Sequence, residues 1–140
     1  SAEALMALIA GAGNPTPGSN PTGVGTSINY IGDRVFGYSG SLSIDDTEAT
    51  MLEFTTGSEI IVAEVQINML ERTGDEYLGQ VYLNGSVIAG IQTGNSTNNN
   101  EPSFPIRLVI GPYTLVTITA DNVSSSGSRA ICCQFTGRII

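Results

Sequence analysis

A chain of 140 residues with 41% hydrophobic side chains can build one core, and its net charge of −8 comes from 13 acids against 5 bases. Every base is an arginine (Arg34, Arg72, Arg107, Arg129 and Arg138), and lysine and histidine are absent. Schiff-base chemistry, Ser-His nucleophiles and most zinc or copper sites are therefore excluded, and scattered cations in an acidic chain argue against nucleic acid or a membrane surface as partner.

Residues 2–10 are good helix formers, and Leu5, Leu8 and Ile9 fall on one face at helical spacing. So short a helix is marginal alone, since isolated helices need ~12–15 residues. A partner surface is expected to hold it. Residues 11–27, Gly-Ala-Gly-Asn-Pro-Thr-Pro-Gly-Ser-Asn-Pro-Thr-Gly-Val-Gly-Thr-Ser, are too dense in Gly and Pro for helix or ladder. Residues 1–27 thus read as an N-terminal arm, a short helix on a tether, and 28–140 as the folded domain.

From residue 28 onward the hydrophobic period changes to two. Ile61, Ala63, Val65, Ile67 and Met69 share one face of a long strand, with Glu64, Gln66 and Asn68 on the other. Asn84-Gly85 between alternating runs is a strong hairpin signal, because both central positions of a type I′ turn need φ > 0. The pattern predicts eight strands, at about 34–44, 48–56, 59–70, 76–83, 86–92, 104–110, 113–121 and 129–140. Eight short strands with regular turns predict an all-β, antiparallel jelly-roll sandwich. An immunoglobulin-like sandwich would call for a core Trp and a separated Cys pair, and the chain has neither. Ile67, Val81, Leu108, Ile118 and Phe135 are the expected core. Ile60, Val62, Tyr82 and Ile88 form an expected outward apolar stripe, which marks a subunit interface and predicts a homotrimer.

Adjacent Cys132 and Cys133 point to opposite faces of a strand, so one is expected buried and one outward, without a mutual bridge. The acids Asp45, Asp46 and Glu48 share a turn, and Asp75 and Glu76 a connection. Neighbours on one turn do not face each other across a cleft as glycoside hydrolysis requires. They read as solvated turns, with a weak calcium site at Asp45-Asp46-Glu48 as the minority option. Three Asn-x-Ser/Thr triplets, at Asn84, Asn95 and Asn122, fall in turns. No enzyme, cofactor or metal is expected.

Tyr38-Ser39-Gly40-Ser41-Leu42-Ser43-Ile44, Thr50-Met51-Leu52-Glu53-Phe54-Thr55-Thr56-Gly57, the run from Ile110 to Asn122 and the closing Phe135-Thr136-Gly137-Arg138-Ile139-Ile140 carry a resemblance. Over residues 38–140 the chain resembles small jelly-roll virion proteins of tailed bacteriophages, the head decoration or cement proteins. The resemblance implies a structural protein on the capsid exterior, often trimeric, whose partner is the major capsid protein or another virion protein. The arm then suits insertion between shell subunits, anchored by Leu5, Leu8 and Ile9. The alternative expectation is a receptor- or carbohydrate-binding head domain of a viral fibre.

Overall fold

The computed structural model describes residues 24–93 and 105–140, so the expected helix over 2–10 lies outside the described residues. Alternation at period two runs through nearly all of the described chain, and it folds into strands with no helix there. Ten strands follow in order: β1 (Asn29–Ile31), β2 (Arg34–Tyr38), β3 (Leu42–Ile44), β4 (Ala49–Thr55), β5 (Ile61–Met69), β6 (Tyr77–Leu83), β7 (Ser86–Thr93), β8 (Ile106–Ile110), β9 (Leu115–Asn122) and β10 (Arg129–Ile139). They form two antiparallel sheets. One, six-stranded, runs β1-β2-β10-β5-β8 with β3 also on β10; the other, four-stranded, runs β4-β9-β6-β7. Pairing is nested from the ends inward: β2 and β3 with β10, β4 with β9, β5 with β8, and β6 with β7.

The count exceeds the predicted eight for two local reasons. The first predicted strand, 34–44, breaks at Ser39-Gly40-Ser41, where Gly40 takes a φ of 73°. Ser39 bridges the break: its N–H donates to the Cys133 carbonyl (3.0 Å), and its Oγ accepts from the Cys133 N–H (2.9 Å). β2 and β3 therefore lie in line along one side of β10. The other addition is β1, folded back onto β2 by a turn at Gly32, whose φ is 60°. Upstream of it, the Gly25 N–H donates to the Tyr38 carbonyl and the Thr26 carbonyl accepts the Glu53 N–H, both at 2.9 Å. The entering chain thus ties an edge of one sheet to β4 of the other.

Between the sheets lies a core of Val35, Met51, Leu52, Ile61, Val65, Ile67, Tyr77, Val81, Ile118, Ile131, Cys133 and Phe135, none more than 1% exposed. Phe54 packs edge-on against Phe135, ring centroids 4.9 Å apart. Leu108, expected in the core, is only half-buried because β8 is an edge strand. A register shift between Thr50 and Leu52 lets Met51 and Leu52 both turn inward. A second shift opposite Val81/Tyr82 turns Val87 outward across from Tyr82, while Ala89 and Ile91 face the core. Asn84 (φ 53°) and Gly85 (φ 84°) make the anticipated hairpin turn. The cysteines divide as expected: Cys133 is buried, its thiol pushed up to about 12 by desolvation, and Cys132 is part-exposed on the opposite face.

Gly137 sits on the inward side of β10 between Val35 and Ala63. A Cβ there would stand 2.9 Å from the Val62 carbonyl oxygen and 2.8 Å from Ile61 Cγ2. Backbone cannot swing away as a side-chain tip can. Gly137→Ala is expected to destabilise by about 1–2 kcal/mol despite alanine's lower unfolded-state entropy, measured as a lower denaturant midpoint.

Candidate functional site

The outer face of the six-stranded sheet is set by alternation, since buried Ile61, Ala63 and Val65 turn Val62 and Glu64 outward. Register then builds rows across it. Arg34 of β2, Arg138 of β10, Val62 of β5 and Val109 of β8 form one row, and Phe36, Thr136, Glu64 and Arg107 form the next. Tyr38 starts a third row with Gln134 and Gln66. Three of the chain's five arginines thus share one face, over an open trough of about 810 Å³. Arg107 Nε lies 3.1 Å from Glu64 Oε2 and Arg34 Nε 3.8 Å from Asp33 Oδ1, with Glu64 about half-exposed and the other three side chains mostly in water. Such exposed pairs contribute little to stability. Val109, Ile31 and Ile140 are each more than 60% exposed around them.

A second group of outward side chains is acidic. The turn from β3 to β4 carries Asp45, Asp46 and Glu48, and β4, an edge strand, adds Glu53 on its outer side. Asp45 Oδ1 accepts the Thr47 N–H at 2.9 Å, a local turn bond. Glu48 reaches over the four-stranded sheet, where Oε2 accepts from Thr119 Oγ1 and the Tyr82 hydroxyl, both at 2.6 Å. The bond from Thr119, then that from Tyr82, holds the Glu48 carboxyl below the usual carboxylate range. The same bond raises the Tyr82 hydroxyl above its ordinary value. Asp121 is raised, by burial first and by Glu48 second. Glu48, Thr50, Tyr82, Leu115 and Thr117 border a shallow depression of about 200 Å³. Among the described residues no group of three His, Cys, Asp or Glu side chains could hold a metal ion, and the turn acids do not converge as calcium would need.

The predicted interface stripe separates. Ile60 and Val62 lie with the six-stranded sheet, 38% and 45% exposed, whereas Tyr82 and Ile88 belong to β6 and β7 of the other sheet. Period-two reading within single strands assigns outward positions but not the sheet each strand joins, so one stripe was drawn from two surfaces. The predicted anchors Leu5, Leu8 and Ile9 lie outside the described residues. The arginine rows went unnoticed because Arg34, Arg107 and Arg138 are far apart in the chain. Only the β2–β10–β5–β8 register assembles them. No protein-family model matches the chain, and no curated protein matches it in sequence.

Proposed function

We propose that this chain is a non-enzymatic structural virion protein, a jelly-roll capsid decoration protein that binds the outside of the shell as a homotrimer. The fold part of the reading draws on the nested pairing. With β2 and β3 taken as one broken strand and β1 as an addition, eight strands pair first with last, second with seventh, third with sixth and fourth with fifth. That is the double-sheet order of a jelly roll. The observation that carries binding over catalysis is the character of the larger depression. It is an open sheet face of arginines, aromatics and aliphatics with Glu64 and Thr136 among them. Enzyme clefts instead enclose substrate and converge groups of shifted pKa. The capsid as partner follows from the sequence resemblance, and the arm of residues 1–27 is its anchor.

A fibre head that binds carbohydrate is the second reading, favoured by the Tyr82 ring beside Glu48, Thr119 and Gln80. It predicts loss of glycan binding in Tyr82→Ala with attachment to the particle unchanged. The decoration reading is tested by removing residues 1–20. The trimmed protein, still folded by circular dichroism, is expected to lose attachment to particles in a co-sedimentation assay. Full attachment without the arm would remove the anchoring role.

A further inference from the structure

We propose that residues 1–10 of the arm return to the chain's own six-stranded sheet and cover its outer face, with Leu5, Leu8 and Ile9 seated on an apolar row at one end of it. Register builds that row from five strands: Ile31 of β1, Arg34 of β2, Arg138 of β10, Val62 of β5 and Val109 of β8. Ile31 and Val109 are more than 60% exposed, and Val62 is 45% exposed. Exposed Ile140 extends the patch, its N–H donating to the Ile60 carbonyl at 3.0 Å. Branched aliphatics gathered on one face, rather than scattered singly, mark a surface that something covers. Charge plays little part in choosing the cover, because Arg34 and Arg107 already stand beside Asp33 and Glu64. Of the three arginines on this face, Arg138 has no ion pair among the described residues, and Glu3 is the one charged side chain in residues 1–23.

The place where the arm joins the domain selects it as the cover. Val24 makes a parallel bridge to Tyr38, and the Gly25 N–H donates to the Tyr38 carbonyl, so the chain enters at the rim of this sheet. Followed backward from a parallel bridge, the chain heads along β2 toward Arg34, where β1 already fills the ladder position. Ile28 and Tyr30 occupy the inner side there, which leaves the outer face as the way past. Asn29 marks that way. It stands opposite Phe36, hence on the outer side of an edge strand. Yet it is 7% exposed, and its Nδ2 has no hydrogen-bond partner among the described residues. A buried donor of this kind calls for an acceptor, and the carbonyls of a passing linker supply one. Length permits the return. Residues 11–23 reach up to ~40 Å, against ~20 Å for the four inter-strand spacings from β1 to β8. Tethering favours it, since a short linker holds a segment near its site at a roughly millimolar effective concentration. The contact stands without a capsid. Its release on the particle rests on the reading above, in which shell subunits compete for the same three side chains.

Leu5→Asp with Leu8→Asp in the full chain tests the contact without altering the two-sheet domain. In amide NMR spectra the Ile31, Val62, Val109 and Arg138 signals are expected to move from their wild-type positions to those of the protein lacking residues 1–20, while the signal of buried Val81 stays. The reciprocal variant, Val62→Asp with Val109→Asp at exposed positions, is expected to bring the Leu5, Leu8 and Ile9 methyl signals to those of a free peptide of residues 1–10. Should that variant fail to fold, the arm variant decides alone. Row signals that coincide in wild type, arm variant and trimmed protein would overturn the proposal. A wild type that sediments as a dimer or larger, and becomes monomeric on trimming, overturns it too, because the arm then covers a second copy. If trimming abolishes attachment to particles while the row signals do not move, the anchoring role survives and this contact does not. If the row signals move as expected and attachment survives trimming, the contact stands and the anchoring role is lost.

Discussion

Phe135→Ala is expected to lower stability by about 3–5 kcal/mol, the usual cost of emptying an aromatic site in a closed core. Phe135 is fully buried on the inward side of β10, across from Gly37 on β2 and Val65 on β5. Its ring meets Phe54 of the opposite sheet edge-on at 69°, so this one side chain spans the gap between the sheets. The site cannot easily collapse. Gly37 is already overlaid by Ile28, whose Cγ2 would stand 3.0 Å from any added Cβ. The residual cavity therefore adds to the lost transfer energy. Guanidinium denaturation at 25 °C with an unchanged slope should read the loss as a shifted midpoint. A loss under about 1 kcal/mol would mean the sheets do not pack through Phe135.

Asn122→Ala is expected to cost about 2–3 kcal/mol, because one buried amide ties together one end of the sandwich. Asn122 is 3% exposed. Its Nδ2 donates to the Gly127 carbonyl (2.9 Å) and to Asp75 Oδ2 (3.1 Å), and its Oδ1 accepts the N–H groups of Ser124 and Ser125 (3.0 Å each). Asp75 Oδ2 also accepts from Arg129 Nε at 3.0 Å, and beside it the buried Tyr77 hydroxyl donates to the Ile44 carbonyl. Losing the amide leaves the part-buried Gly127 carbonyl and the Ser124 and Ser125 N–H groups without this partner. It also changes the acid limb. The bond from Arg129 first, and that from Asn122 second, hold the Asp75 carboxyl below the usual carboxylate range. A depressed folded-state pKa contributes stability above the unfolded value, lost as pH falls through the folded one. Without Asn122 the Asp75 pKa moves back toward its ordinary value, so less stability rides on this carboxylate, and the loss on acidification should be smaller and end at higher pH. Melting curves between about pH 2 and pH 7 check this. Identical acid limbs for the two proteins would contradict it. The same burial means that Asn122, despite its acceptor triplet, does not present its amide to a glycosylating enzyme.

Strand positions were legible because burial on one side imposes strict alternation. β5, β9 and β10 show it over long runs, and Ile67, Val81, Ile118 and Phe135 are all buried. Asn84-Gly85 announced its hairpin because few other pairs tolerate positive φ twice. What failed did so for non-local reasons. The break at Ser39-Gly40-Ser41 depends on Cys133, distant in the chain, receiving a serine side chain in place of a ladder bond. The shifts at Met51 and Ile88 insert one residue and reverse the facing on one side of it, which alternation alone cannot foresee. The arginine rows needed the pairing order, because Arg34, Arg107 and Arg138 stand on three different strands.

A cryo-EM map of the particle that carries this chain tests most directly whether it clads a shell. The expected result is three-fold knobs of the two-sheet domain on the outer capsid surface, with residues 1–27 ordered in a seam and Leu5, Leu8 and Ile9 buried against shell subunits. A two-sheet domain found only at the tip of a fibre, with no arm in contact with the shell, would contradict the decoration reading.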